Sequence, residues 1–207
     1  SELGLGGRSL RDDERQALED QGCQCADWSK VRVDSDFSPQ NYFKVTFEGS
    51  AFLSKLEGEV EADGVRWNGV VEDVILSNVV LGPNLHISRT LRIENFRIGE
   101  ACVICDGGRL LGGRGSFAPL LMSPGNEMGG RPLWAWPEIT TYEAQLQAEN
   151  PGSSEAAKRK AMELGSYADF PAHQSWLGES SVVISTTKVQ DVLMGPHSVV
   201  DGAQEIC

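Results

Sequence analysis

No stretch of this chain approaches the roughly eighteen uninterrupted apolar residues that a membrane-spanning helix needs, so a helical span is excluded. Basic residues are also scarce. Eighteen Lys and Arg stand against 30 Asp and Glu in 207 residues, a formal net charge of −12. A surface of that sign repels phosphate backbones and anionic headgroups, which excludes general nucleic-acid binding and docking on anionic membranes. Cysteine is limited to five residues. An odd number in a chain long enough to build its own core does not suit a disulfide framework and predicts a reducing, cytoplasmic setting. No charged-then-apolar leader opens the sequence, and a start at Ser1 instead of Met reads as processing or tag removal. The remaining composition is that of a folded chain, 40% apolar with a mean hydropathy of −0.26. Its length suits one compact domain, or one domain with an appendage.

The N-terminal stretch from Ser9 to Gly22 carries a cap-type serine, acidic residues in its first turn and a terminal glycine, which predicts a short helix. Between Tyr42 and Glu61 the alternation of Phe43, Val45 and Phe47 with polar neighbours predicts short strands. Residues 1–70 thus read as an α/β cap.

From Ile75 onward the chain repeats. Ile75, Leu81, Ile87, Ile93, Ile98, Ile104 and Leu110 open consecutive steps of six residues, one of them shortened to five. The period returns at Val183, Val189, Met194, Val200 and Ile206, again with one step of five. A six-residue period with an aliphatic opener followed by Gly or a polar residue is the hexapeptide signature of a parallel β-helix, each step forming one face of a triangular coil. The residues four after the openers, such as Val79, Leu85, Leu91 and Cys102, are expected to point inward. Gly82, Gly99 and Gly195 are expected where a Cβ would crowd the bend. The expected fold is mainly β: a single-stranded parallel β-helix in two runs, residues 71–115 and 183–207. Between them, residues 116–182 break the period. Turn signals at Pro124–Asn126 and Gly129–Pro132 precede Ile139, Tyr142 and Leu146 at helical spacing, and residues 154–164 read as a second helix, so this insertion is a helical arm.

The two runs and the arm together resemble the left-handed β-helix hexapeptide-repeat superfamily, and the left hand is implied by that resemblance alone. Within it, the stretch Asn126–Leu146 (NEMGGRPLWAWPEITTYEAQL) and the opening segment with Gly22–Trp28 (GCQCADW) are similar to a family of long, uncharacterised bacterial β-helix proteins. This chain would then be an N-terminal part that ends in mid-repeat. The superfamily includes many sugar and amino-acid acyltransferases. The resemblance therefore implies an acyltransferase-like activity on a sugar or nucleotide sugar, with coenzyme A as acyl donor, a homo-oligomer (trimer or dimer), and a site between adjacent β-helices. The alternative is a non-catalytic scaffold or oligomerisation module of a longer protein.

Few residues compete for a chemical role. The superfamily commonly uses a His as general base, which draws attention to His86, His173 and His197. Three histidines also invite comparison with trimeric γ-type carbonic anhydrases, but no established catalytic spacing is reproduced. His86, on the repeat itself, is the leading catalytic candidate. Arg131 suits bidentate binding of a carboxylate or phosphate, with a structural ion pair as the bland reading. Trp134, with Trp136, could form a platform for a sugar or an oligomer contact, and core packing of the arm against the β-helix is the bland reading. Cys102 and Cys105 have CxxC spacing, which can bring two thiolates to a metal or to redox chemistry. In a strand, residues three apart face opposite sides, so structural cysteines are the favoured reading and no metal site is expected. The glycine-rich run Gly107–Ser116 lacks the Lys of a P-loop and reads as a turn into the arm. Glu59, Glu61, Glu72 and Asp73 read as a solvated face.

Overall fold

The computed structural model describes residues 7–113, 120–122, 133–135, 139–149, 155–159 and 175–207. The chain divides into two compact units, residues 1–113 with 174–207, and residues 114–173.

The first unit is mainly β, with parallel strands in a strongly curled sheet. Its organising interval is 17 residues. Ile87 lies beside Ile104, Ile93 beside Leu110, Leu81 beside Ile98, Val183 beside Val200 and Val189 beside Ile206, every pair parallel. Within the interval the inward residues advance by five, six and six: Leu76, Leu81, Ile87 and Ile93, then Ile98, Ile104 and Leu110, all buried. The five-residue step is thus the regular third of each interval, not a slip. The frame begins at Leu76 instead of Ile75, because Leu76 pairs with Ile93 and is buried while Ile75 is only half-buried. Each fully buried aliphatic contributes about 1.5–3 kcal/mol relative to leaving it exposed.

The turns between strands obey one rule. A residue in the left-handed region sits at each: Asn78 and Asn95, Asn84 and Ala101, Arg89 and Asp106, each pair 17 apart, then Ser180 and His197, and Ser185 with Gly202. The residue that follows it turns inward, as Val79, Leu85, Thr90, Phe96, Cys102, Ser181 and Thr186 do, all nearly inaccessible to solvent. Leu91 therefore departs from expectation. It is 54% exposed, because Arg89 takes the corner one residue early and Thr90 fills the inward slot. Asparagine tolerates the left-handed conformation, and here its amide also stitches intervals together: Asn78 Nδ2 donates to Asn95 Oδ1 (3.2 Å) and Asn95 Nδ2 to the Gly112 carbonyl (2.9 Å).

The N-terminal end is irregular. The helix Asp12–Asp20 starts three residues after Ser9, and its cap is supplied by Glu14, which accepts from the Arg11 amide (3.0 Å) and from Arg8. Gly22 ends it at φ +82°. The long strand Val70–Ser77 joins this region to the periodic one, pairing with Tyr42–Phe47 on one side and with both His86–Ser88 and Arg92–Glu94 on the other. The strand Ser175–Leu177 already pairs in parallel with Phe96–Ile98, so the second run begins there, earlier than residue 183.

In the second unit Leu120–Met122 pairs antiparallel with Leu133–Ala135. A helix follows at Thr141–Glu149, opened by a capping box in which the Thr140 hydroxyl accepts from the Glu143 amide and the Glu143 carboxylate accepts from the Thr140 amide. Residues 155–159 are helical as well. Of the expected apolar stripe, Tyr142 and Leu146 are exposed, while Ile139 packs with Trp134 and Ala157.

Candidate functional site

His86 lies on the outer side of the curled sheet, because Ile87 points inward and strand neighbours alternate. Ser88, two residues on, shares that side. A hairpin covers both. Its strands, Glu59–Ala62 and Val65–Asn68, are joined by Asp63 and Gly64 at φ +51° and +73°, the positive pair that a tight two-residue hairpin turn requires. The hairpin's inner residues Val60 and Ala62 form one small apolar cluster with Val103, Cys105 and Val182, with Trp67 and Ile184 at its margin.

Under this cover both imidazole nitrogens of His86 are engaged. Nδ1 lies 2.8 Å from the Asn68 carbonyl, and Nε2 lies 2.9 Å from Ser88 Oγ. A carbonyl only accepts, so Nδ1 carries a proton, and in the neutral imidazole Nε2 then accepts from the Ser88 hydroxyl. The Trp67 ring sits 4.9 Å from the imidazole, tilted by 44°. Such a pair has the polarity of a base and an activated hydroxyl. Ser88, however, is 0% exposed, and in the closed arrangement no substrate atom reaches it. His197 is an exposed corner residue at φ +58°, equivalent to Ser180 one interval earlier.

Cys102 and Cys105 face opposite sides of the sheet, as the strand spacing predicts. Cys102 belongs to the main core, where its thiol donates to the Gly178 carbonyl (3.0 Å) and burial pushes its pKa up to about 12. Cys105 lies beneath the hairpin, its pKa raised by burial and then by the neighbouring Asp106 carboxylate. They cannot converge on one ion, and among the described residues no group of three or more His, Cys, Asp or Glu side chains is placed to hold a metal.

A second concavity, of about 480 Å³, opens where the continuous strand Val70–Ser77 meets the corner at Arg89–Leu91. Lys44, Thr46, Asp73, Ile75, Arg89 and Leu91 line it. Its larger cation is committed: Arg89 grips Asp106 through two hydrogen bonds of 2.6 and 2.9 Å. Arg92 is likewise held, by Glu48 and Glu94 at 2.8 Å each.

The other sequence candidates fall in the second unit. Trp134 pairs its backbone N–H and C=O with the Gln147 side chain (2.9 and 3.0 Å), and Lys158 Nζ stands 5.7 Å from its ring centroid. This is internal packing of the arm. Arg131, His173 and Trp136 lie outside the described residues. Ser88 and Asn68 were missed by sequence reasoning. The signals were there: His86 and Ser88 share strand parity, and Asp63-Gly64 stands between Val60-Glu61-Ala62 and Val65-Arg66-Trp67.

The molecule is thus a mainly β protein built on parallel strands that return every 17 residues, with a helix-bearing unit inserted into the repeat. A family match extends over residues 7–207, and the chain belongs to that family, a domain of unknown function designated DUF4954. No curated protein and no solved structure matches the chain.

Proposed function

We propose that the first unit is a single-stranded, left-handed parallel β-helix and that it serves as a non-catalytic scaffold or oligomerisation module. The constant 17-residue interval, with three short strands and three left-handed corner residues in each, supports the β-helix. The hand rests on the likeness of the repeat to hexapeptide sequences.

The observation that carries the scaffold reading is where the reactive side chains go. His86 is held at both nitrogens, Ser88 is sealed, Cys102 is in the core, Arg89 is clamped by Asp106 and Arg92 by two glutamates. Lys188 is bound to Glu205 of the next interval. Side chains that an acyl-transfer site would aim at a substrate are engaged here within the fold, on their own strand, under the hairpin or with a neighbouring interval. Stability in such a stack is set between nearest neighbours, which suits a spacer that can lengthen without a new core.

The test is thermal unfolding of the purified chain with acyl-coenzyme A species, nucleotide sugars and Zn²⁺, since a ligand that binds only the folded state raises its midpoint. The scaffold reading expects no saturable shift with any of them. A saturable shift with an acyl-coenzyme A or a nucleotide sugar that disappears in His86→Gln overturns it in favour of acyl transfer.

A further inference from the structure

We infer that the hairpin of residues 59–68 is a hinged flap, which opens as a unit while the parallel sheet beneath it stays folded and so bares the strip containing His86, Ser88 and Cys105. Four observations lead there. The two strands of the hairpin form a sheet of their own and, among the described residues, pair with no other strand, so no backbone ladder there ties them down. A two-stranded hairpin by itself is marginal in water, and this one is held by what its inner face touches.

That hold is small. Val60, Ala62 and Trp67 pack in a cluster separate from the main core, and one polar latch joins the Asn68 carbonyl to His86 Nδ1. The outer face carries Glu59, Glu61 and Arg66, all exposed, and Val65, opposite Ala62 at the tip of the inner face, is exposed as well.

Both attachment points are glycines. Gly58 stands at φ +66° with open space around it, and the Gly69 amide donates to the Gly58 carbonyl at 2.9 Å. The neck therefore stays closed by its own hydrogen bond while the arm beyond it pivots.

Closure also leaves a cost. Trp67 Nε1 is buried and has no acceptor among the described residues, and a buried unpaired donor weakens the closed state relative to one in which water reaches it. Opening returns that donor to solvent. It also extends an apolar face already partly in the open: Val103, Val182 and the exposed Val199 stand side by side in register, as do Cys105 and the half-buried Ile184.

The two cysteines of the CxxC segment make the test internal. Cys105 needs only the flap to move, whereas Cys102 needs the core to open. The native chain is treated with N-ethylmaleimide, and the labelling rate of each cysteine is read by peptide mass spectrometry at increasing low urea. Cys105 is expected to react at least about tenfold faster than Cys102 and Cys23, because sub-global opening costs less than global unfolding. Its rate should change little with urea, while theirs climbs steeply with the large surface exposed on unfolding. Val60→Ala, which loosens only the flap, should raise the Cys105 rate and leave that of Cys102 unchanged. Cys105 tracking Cys102 in rate and urea dependence overturns the inference, and so does a Cys105 rate indifferent to Val60→Ala. If that variant fails to fold, amide hydrogen exchange of the native chain decides: Val60 and Ala62 must exchange faster than Val103 and Ile104.

Discussion

Gly99 and Gly195 hold the same position in different intervals of the repeat, and their surroundings differ completely. A Cβ added to Gly99 would lie 2.7 Å from the Glu179 amide nitrogen, in the backbone of the next interval. One added to Gly195 would meet nothing within 4 Å. Neither residue has a positive φ, so neither is required by the bend it sits in, contrary to what the sequence suggests. Glycine is needed at this position because another interval stacks against it, and Gly82 is in the same situation against Gly99 and Glu100.

The sharpest way to break the comparison is to add that Cβ. Gly99→Ala forces two backbones apart, and overpacking of this kind should cost about 3 kcal/mol of unfolding free energy. Gly195→Ala should stay within about 0.5 kcal/mol in the same urea titrations. Equal losses would mean that the glycine acts through its own conformation.

Truncating inward aliphatics should separate the same two regions. Ile104 is enclosed between Ile87 and Val183, so Ile104→Ala is expected to cost about 2–5 kcal/mol. Val200, the corresponding residue two intervals on, has a neighbour on one side only and is half-buried, so Val200→Ala should cost about 1 kcal/mol or less. Urea midpoints at constant slope would check both.

The contrast also marks what sequence can tell. The openers from Leu81 to Leu110 were legible because each faces a dry interior and must be aliphatic. Corners filled by Asn78, Asn84 and Asn95 carry a residue suited to the left-handed region, but Arg89, Ala101 and His197 hold the same conformation with no local signature, since neighbouring intervals impose it. That is why the six-residue spacing points to Leu91 as the inward residue, whereas Thr90 fills the slot. The return at Ser175 is hidden because its one aliphatic opener, Leu177, follows directly on the aperiodic arm, and its neighbour Trp176 faces outward. At the candidate site His86 stood out as a residue type. Its partners did not, because a carbonyl from a hairpin eighteen residues earlier leaves no mark on composition.

The irregular N-terminal end closes the sheet by different means, and pH should reveal it. The Glu14 carboxylate is 2% exposed, and its hydrogen bonds from Arg8 (2.6 and 2.7 Å) hold its pKa below the ordinary carboxylate value, aided by the Arg11 amide and by charge. A depressed folded-state pKa contributes stability that is fully present above the unfolded value, about 4.3, and is lost as pH falls through the folded one. Glu14→Gln should therefore cost about 1–3 kcal/mol at pH 7, and the gap between variant and parent should shrink as the pH is lowered below about 4. A gap that does not change with pH would assign the loss to packing instead of charge.

The smallest effects should come from the pairs that decorate the outside of the stack. Arg89 with Asp106, and Lys188 with Glu205, each join residues 17 apart, and both couple an enclosed interval to its neighbour as visibly as the asparagine amides do. Their charges are mutually stabilised, Asp106 being held below the ordinary carboxylate range by its bonds from Arg89. All four side chains remain a third or more in solvent, where screening and side-chain entropy cancel most of the attraction. Asp106→Asn and Glu205→Gln should thus leave the urea midpoint unchanged in 0.5 M salt, and any difference seen in dilute buffer should vanish there. The stack would then owe its order to its buried steps, its asparagine amides and its glycines, and a persistent loss in Asp106→Asn at high salt would show that the corner at Arg89 depends on its carboxylate clamp to hold a conformation its own side chain disfavours.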